Sequence, residues 1–447
     1  MSAALRSRLS TIDDQILALQ TERQTIVAQL SAFVYPVLSL PDDVTSGIFL
    51  QYADDYPSST CNPMILARVC WPWRTVALST PRLWSRFERC WPDRTFHNYA
   101  HLSDFIRMWL SRSGTLPLDL RLEMPSKEEL VDTLFSMLAD HAARLRNLQF
   151  DCATGRPVIH ADRLGPLPAL TKLSLANEDR GVYIPQPLDV PRLREVELEL
   201  IALILTEDWE AWLPWSQITN LRILNMDSSD CLTLVKRTLN LEVLDFNAYG
   251  SRLGQVVAPP HALHHLHTLI LGSSAGADIL PRLMLPTLRE LRSREQIVAV
   301  GPFVADLIGR SGCSLGTMAF VVRDSTDVDA MKSCLLHTPA LRVLEIHCDN
   351  KVTSQTLDKL FSTWFFEKKL VPSLASLQLN NCCTKFQLSR LVDMLTVRCT
   401  RGSLRSFKMT SPETAGATNR GLEELYALRS SGLEVDISPD VQWLDLF

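Results

Sequence analysis

The chain has 447 residues, of which 46% are hydrophobic and 21% charged, and a formal net charge of −5. That length accommodates two or three domains or one extended repeat array, and the composition is that of folded protein rather than a disordered chain. The mild acidity, with no Lys/Arg run, excludes the clustered basic face that a nucleic-acid binder needs.

Leu5, Leu9, Ile12, Ile16, Leu19, Ile26, Leu30 and Phe33 recur at alternating steps of three and four, and Arg23 fills the single gap. This spacing predicts a helix with a heptad seam of about four heptads. Such a seam either pairs two chains or lies on the chain's own surface. The segment carries acids and has no continuous apolar core, so it does not read as a signal peptide. The longest apolar runs, Phe33–Leu40 and Leu200–Leu205, are too short to cross a bilayer. The 11 cysteines form no C-x-x-C pair, and no N-x-S/T acceptor occurs. These features point to the cytoplasm or nucleus, with cysteine used as a small buried residue. The vicinal pair Cys382–Cys383 reads as part of a turn.

Tyr35–Pro36 ends the first helix, because proline disfavours helical geometry in the residue before it. "LSLPDDVTSGIFLQYA" then predicts a second helix. Pro41 stands at its start, and Asp42 and Asp43 face the positive dipole end. Val44, Ile48 and Phe49 share a face, while Gly47 costs about 1 kcal/mol against alanine. After the loop 51–63, "MILARVC" gives a third helix. Pro72 is acceptable only where it opens the next one. Trp73 is expected to face a partner, Trp71 to cap the junction, and Trp84 to seat this region against the start of the next, near Trp91 and Trp109.

From Leu116 the texture changes. An L-x-x-L-x-L pattern, with other apolar residues allowed, appears eleven times at intervals of 20 to 33 residues. Its copies are "LRNLQF" at 145, "LTKLSL" at 170, "LREVEL" at 193, "LRILNM" at 221, "LEVLDF" at 241 and "LHTLIL" at 266. They continue as "LRELRS" at 288, "LGTMAF" at 315, "LRVLEI" at 341, "LASLQL" at 374 and "LRSFKM" at 404. Each copy predicts a short parallel strand. Its first, fourth and sixth residues point into a core, and its third, fifth and seventh face outward. "LPLDLRL" from Leu116 reads as the first strand and "KEELVDTLFSMLADH" as the first helix of the opposite side. The expected fold class is α/β: a leucine-rich-repeat solenoid with a curved parallel sheet.

Catalytic motifs are weak. "GSSAG", Gly272–Gly276, matches the G-x-S-x-G elbow around Ser274, but its strand is one of eleven equivalents and no oxyanion segment precedes it. His261, His264, His265 and His267 cluster without a carboxylate or thiol nearby in sequence, so they read as a solvated loop and strand start. No P-loop, G-x-G-x-x-G, H-E-x-x-H or zinc-ligand spacing occurs. The expectation is a non-enzyme with no metal and no cofactor.

The predicted outward row offers charge instead. Glu195, Glu197 and Glu199 stand on one strand, Asp227 and Asp245 continue the row, and Arg292 and Arg294 follow beside Glu290. A groove of this kind selects a protein partner with a basic segment; the alternative is a plain solvated face.

At "LSLPDDVTSGIFLQYA" and "ILARVCWPWRTVALSTPRLWS" the chain resembles the F-box, a three-helix module that docks onto the Skp adaptor of Skp–cullin–F-box ubiquitin ligases. The resemblance covers 36 to 87 closely and the repeats generically, and the long version ending "ALSTPRLW" resembles the F-box proteins expanded in mushroom-forming fungi, which also carry leucine-rich repeats. It implies adaptor contacts at Leu40, Pro41, Val44, Ile48, Phe49, Leu66, Val69 and Trp73. Gly47 departs from the glutamate usual in the family, and Pro72 from a polar residue. The implied organisation is a heptad helix at 1–35, an F-box at 36–90, a linker helix at 91–115 and the solenoid at 116–447. The implied function is a substrate-recognition subunit that binds the adaptor, through it a cullin, and an unidentified protein substrate. Substrate contacts are expected at Glu195, Glu197, Glu199, Asp227, Asp245 and Arg292, with no nucleic-acid or membrane partner. The alternative is a leucine-rich-repeat scaffold with no degradative role.

Overall fold

A computed structural model describes residues 2–32, 36–56, 62–88, 99–124, 128–152, 158–177, 184–200, 209–249, 259–273, 279–349, 352–366, 370–381, 388–400, 403–411 and 419–439. Ser274, Cys382, Cys383, Phe33 and Trp91 lie outside these residues, as do the side chains of Leu5 and Leu30. The chain forms two compact units, Met1–Leu116 and Pro117–Phe447.

The first unit is helical. Helix α1 spans Ser2–Ala32, α2 Asp42–Asp55, α3 Asn62–Val69, α4 Trp71–Ser79 and α5 Tyr99–Arg112. Helix α2 begins as the residues dictate. Pro41 occupies the cap position, its carbonyl accepts from Thr45 N at 3.0 Å, and Asp42 and Asp43 fill the first turn. Helix α4 is capped at Cys70 and carries Pro72 in its first turn, where a missing N–H costs nothing. The core gathers Phe49, Leu66, Val76, Ala77, Leu83, Trp84, Trp109 and Leu110. Trp84 is fully buried, donates from Nε1 to the Ala77 carbonyl at 2.8 Å, and meets the Trp109 ring edge-on at 4.8 Å. The Arg112 guanidinium lies over the Trp84 ring, 4.7 Å from its centre. Trp84 therefore belongs to the interior of the helical unit, buried against α5, where it meets Trp109 as expected.

The second unit is an α/β array. Its strands are β1 Leu118–Glu123, β2 Leu145–Cys152, β3 Lys172–Asn177, β4 Glu195–Leu200, β5 Asn220–Asp227, β6 Val243–Tyr249 and β7 Thr268–Leu271. They continue as β8 Glu290–Gln296, β9 Thr317–Val322, β10 Val343–Cys348, β11 Ser376–Asn380, β12 Ser406–Ser411 and β13 Glu434–Pro439. They form one sheet in chain order, and every pair is parallel. The fold is thus a solenoid-like α/β sheet.

Two ladders explain the sequence pattern. Leu148, Leu173, Val196, Leu221, Leu244, Leu269 and Leu291 follow one another in register, and all are buried. Before each strand the chain turns a corner held by backbone alone. Thr171 N donates to Arg146 O, Arg194 N to Thr171 O, Thr219 N to Arg194 O and Glu242 N to Thr219 O, and the series continues through Arg289 to Glu434, all at 2.8 to 3.0 Å. The residue after the opening leucine occupies this corner, which is why polar and charged residues are tolerated there.

One copy of the pattern starts three residues before the leucine that its spacing points to. The fourth copy, on β5, does not open at Leu221: that residue pairs with Val196, so the copy begins at Ile218. Asn225 adopts φ 56°, and the register slips between Leu224 and Met226. This bulge returns Met226 to the core although it stands an odd number of residues from Leu221. The final strand β13 follows the buried Leu433 and was not anticipated; Gly432, at φ 88°, makes the turn before it.

Helices line several connections, α6 Glu128–Ala139, α7 Ser228–Arg237, α8 Ile297–Ser311, α9 Ser325–Leu336, α10 Ser354–Phe366, α11 Leu388–Thr400 and α12 Asn419–Ala427, most regularly from α8 onward. From α8 onward each packs on the next. Asp327 ties the first two of these together. Fully buried, its carboxylate accepts from the backbone N–H groups of Val298 at 3.2 Å and Arg323 at 2.8 Å.

Candidate interaction surfaces

In the helical unit the eight predicted adaptor residues divide in two. Leu40, Pro41, Val44, Ile48 and Val69 are exposed. Val44 and Ile48 are one turn apart on α2, and Val69 closes α3. Phe49 and Leu66 are not surface residues. Phe49 is 1% exposed and meets Trp73 edge-on at 5.0 Å, which leaves Trp73 half-buried; Leu66 is 6% exposed. Phe49 and Leu66 therefore pack inside the bundle, and Trp73 lies mainly against the same interior. Neighbouring residues of one short helix point in different directions, about 100° apart, so Ile48 faces water while Phe49 faces the core. Further exposed apolar residues, Val37, Leu38, Ile65 and Trp71, were not singled out as contacts; Trp71 is 77% exposed. Their signal was the i, i+4 spacing of Ile65 and Val69 on α3.

On the sheet, the face opposite the core is a lattice of ion pairs. The fifth positions align as Glu197, Arg222, Asp245, Ile270 and Arg292 across β4 to β8, then Ala319, Glu345, Gln378 and Lys408. Glu197 lies 3.3 Å from Arg222 and 3.6 Å from Lys172. Arg222 Nε is 3.2 Å from Asp245, close enough for attraction, although not aimed for a hydrogen bond. Arg294 places its two terminal nitrogens on the two oxygens of Asp245, at 2.9 and 3.0 Å. Arg292 does the same to Glu345, at 2.7 and 3.1 Å, and donates from Nε to Glu290 at 2.6 Å. These acids raise the Arg292 pKa against the opposing effect of its burial. His347, buried beside Arg292 and 3.4 Å from the Asn380 amide, is pushed down to about 4 by desolvation and by that positive charge.

The predicted acidic row is therefore corrected in two ways. Asp227 is not part of it. Its carboxylate accepts from Ser229 N at 2.8 Å and caps α7, and Arg222 takes the fifth position on β5. Arg222 was missed because the copy was read three residues late. Glu197 and Asp245 are neutralised by cations on neighbouring strands, whereas Glu195 is exposed and Glu199 half-buried, with no ion pair to either among the described residues.

The remaining chemistry is sparse. Gly272 follows β7, and a Cβ there would meet Asn247 Cβ at 2.6 Å, so the glycine is required by the close approach of β6. His267 sits 3.9 Å from Glu242 and 3.0 Å from Thr268 Oγ1, a pair the sequence did not anticipate. Among the described residues no group of three His, Cys, Asp or Glu is arranged to hold a metal. The described cysteines are free thiols, and burial pushes Cys152, Cys231 and Cys334 up to about 12. Among the described residues no helix is long and apolar enough to cross a membrane. No protein-family model matches the chain, and no curated protein matches it.

Proposed function

We propose that this chain is a substrate-recognition subunit of a Skp–cullin–F-box ubiquitin ligase. In this reading α2, α3 and α4 form an F-box that binds a Skp-type adaptor, and the adaptor links the chain to a cullin. The leucine-rich-repeat array holds a protein substrate on its charged face. The chain does no chemistry; it supplies proximity between the substrate and the ubiquitin-transferring subunits.

The observation that carries this reading is the placement of apolar residues around a closed bundle. The core of the helical unit is filled by Phe49, Leu66, Val76 and Trp84, yet Leu40, Val44, Ile48, Ile65, Val69 and Trp71 all remain exposed. Branched apolar residues concentrated on short helices mark a docking surface. Each aliphatic one, already about half covered, contributes about 1 kcal/mol when a partner buries the rest. Pro72 supports the reading as well, since it sits in the first turn of α4 and leaves the helix intact. On the sheet, Glu195 and Glu199 are the acids left to meet a basic segment. The paired lattice from Glu197 to Glu345 offers a partner alternating charges rather than a plain acidic strip.

Co-purification tests the proposal. The full chain is expected to recover a Skp-type adaptor and a cullin, and the chain lacking 36–87 to recover neither. Full-length protein that recovers neither points to the non-degradative scaffold instead.

A further inference from the structure

Helix α1 runs for 31 residues, and every side chain described on it, from 7 to 29, is exposed. Its seam residues Leu9, Ile12, Ile16, Leu19 and Ile26 are 43 to 64% exposed. No element among the described residues covers them. A helix this rich in exposed leucine and isoleucine is unfavourable in water, and the alternating three-four spacing is the one that closes against an equivalent helix.

We infer that α1 forms a parallel, in-register two-stranded coiled coil between two copies of this chain. The charges beside the seam select this occupant and this orientation. With Leu9, Ile16 and Arg23 at a and Ile12, Leu19 and Ile26 at d, Arg8 falls at g and Asp13 at the following e. In a parallel pair, g of one helix meets e of the next heptad on the other, so Arg8 faces the second copy's Asp13, and symmetry makes the contact twice. Arg23, the one charged residue in the seam, is flanked across the interface by Glu22 of the second copy at g. Full antiparallel overlap has neither feature: it sets Arg8 against Gln29, Gln15 against Glu22 and Asp13 against Gln20. A single charged a residue also limits the assembly to two strands, since a third would bring another guanidinium to the same axis. The inference does not rest on the ubiquitin-ligase reading and holds equally for a scaffold.

Sedimentation equilibrium of the full chain over a range of concentrations tests it. The expected result is a monomer–dimer equilibrium. Ile16→Asp with Leu19→Asp is expected to weaken it by on the order of a hundredfold or more, with unchanged thermal unfolding of the remainder, because both side chains are exposed in the single chain. Arg8→Asp alone is expected to weaken association by about fivefold, and Arg8→Asp with Asp13→Arg to restore it. A monomer at every concentration, a trimer, a dimer indifferent to the Ile16 and Leu19 changes, or a charge swap that does not restore association would each overturn the inference.

Discussion

Arg294 grips Asp245 with both terminal nitrogens although a whole strand lies between them. Asp245 stands on β6 and Arg294 on β8, and the fork reaches across β7 at 2.9 and 3.0 Å. Arg292 and Glu345 repeat the arrangement over β9, where the intervening position is Ala319. Adjacent strands are about 4.8 Å apart, so such a pair spans roughly 10 Å of sheet. Only an arginine has both the length and the planar fork for it. Asp245 is 7% exposed, and the Arg294 side chain about one-fifth exposed, so these pairs are shielded far better than surface ion pairs. Asp245→Ala removes the acceptor that both Arg222 and Arg294 face. It is expected to cost about 3 kcal/mol in denaturant unfolding. A cost below 1 kcal/mol would place the pair with ordinary surface contacts.

Ile48 and Phe49 are neighbours with opposite duties, and two substitutions separate them. Ile48→Asp is expected to leave stability within about 0.5 kcal/mol, because the side chain is exposed, and to abolish the adaptor binding proposed above. Phe49→Ala is expected to cost about 3–5 kcal/mol, since it empties a core position and removes the edge contact to Trp73. Thermal unfolding paired with adaptor pull-down reads both; equal destabilisation by the two changes would contradict the assignment.

Gly47 is an opportunity rather than a requirement. It lies inside α2, and a Cβ added there would find no atom within 4 Å. Gly47→Ala is expected to raise stability by about 1 kcal/mol through reduced unfolded-state entropy and better helix propensity. Gly272→Ala is the opposite case, because its Cβ would collide with Asn247. Chemical denaturation of the two variants should shift in opposite directions.

His347 makes stability depend on pH. Its pKa falls from 6.5 to about 4 in the folded chain. The unfolded chain therefore binds a proton in that interval that the folded chain refuses, and stability rises with pH. The contribution is complete above about pH 6.5 and is lost as pH falls toward 4, at most roughly 3 kcal/mol. His141 and His261 are also lowered by burial and act in the same sense. His347→Gln is expected to flatten the decline between pH 6.5 and 4; an unchanged slope would assign the decline to other groups.

The recurring leucines made the sheet legible because a parallel strand buries alternate residues whatever else the chain does. Reading failed where local geometry broke that rule. The bulge at Asn225 places Leu221 and Met226 on one side although their spacing is odd, so a pattern search settles on the wrong frame and takes Asp227 for a surface acid. The helical unit was legible as helices but not as faces. A single short helix does not declare which of Ile48 and Phe49 its neighbours will cover. The fork pairs were out of reach for another reason. Asp245 and Arg294 are 49 residues apart, and only the register of three strands brings them together.

Because each strand bonds only to its predecessor and successor in the chain, the array responds to insertions and deletions by their length rather than their number. Removing a complete copy rejoins two equivalent strands and leaves every remaining leucine facing inward. Removing a single residue within a strand turns its leucines toward water and its charges toward the core. The copies stand 22 to 33 residues apart, and their inequality lies in the connectors between strands.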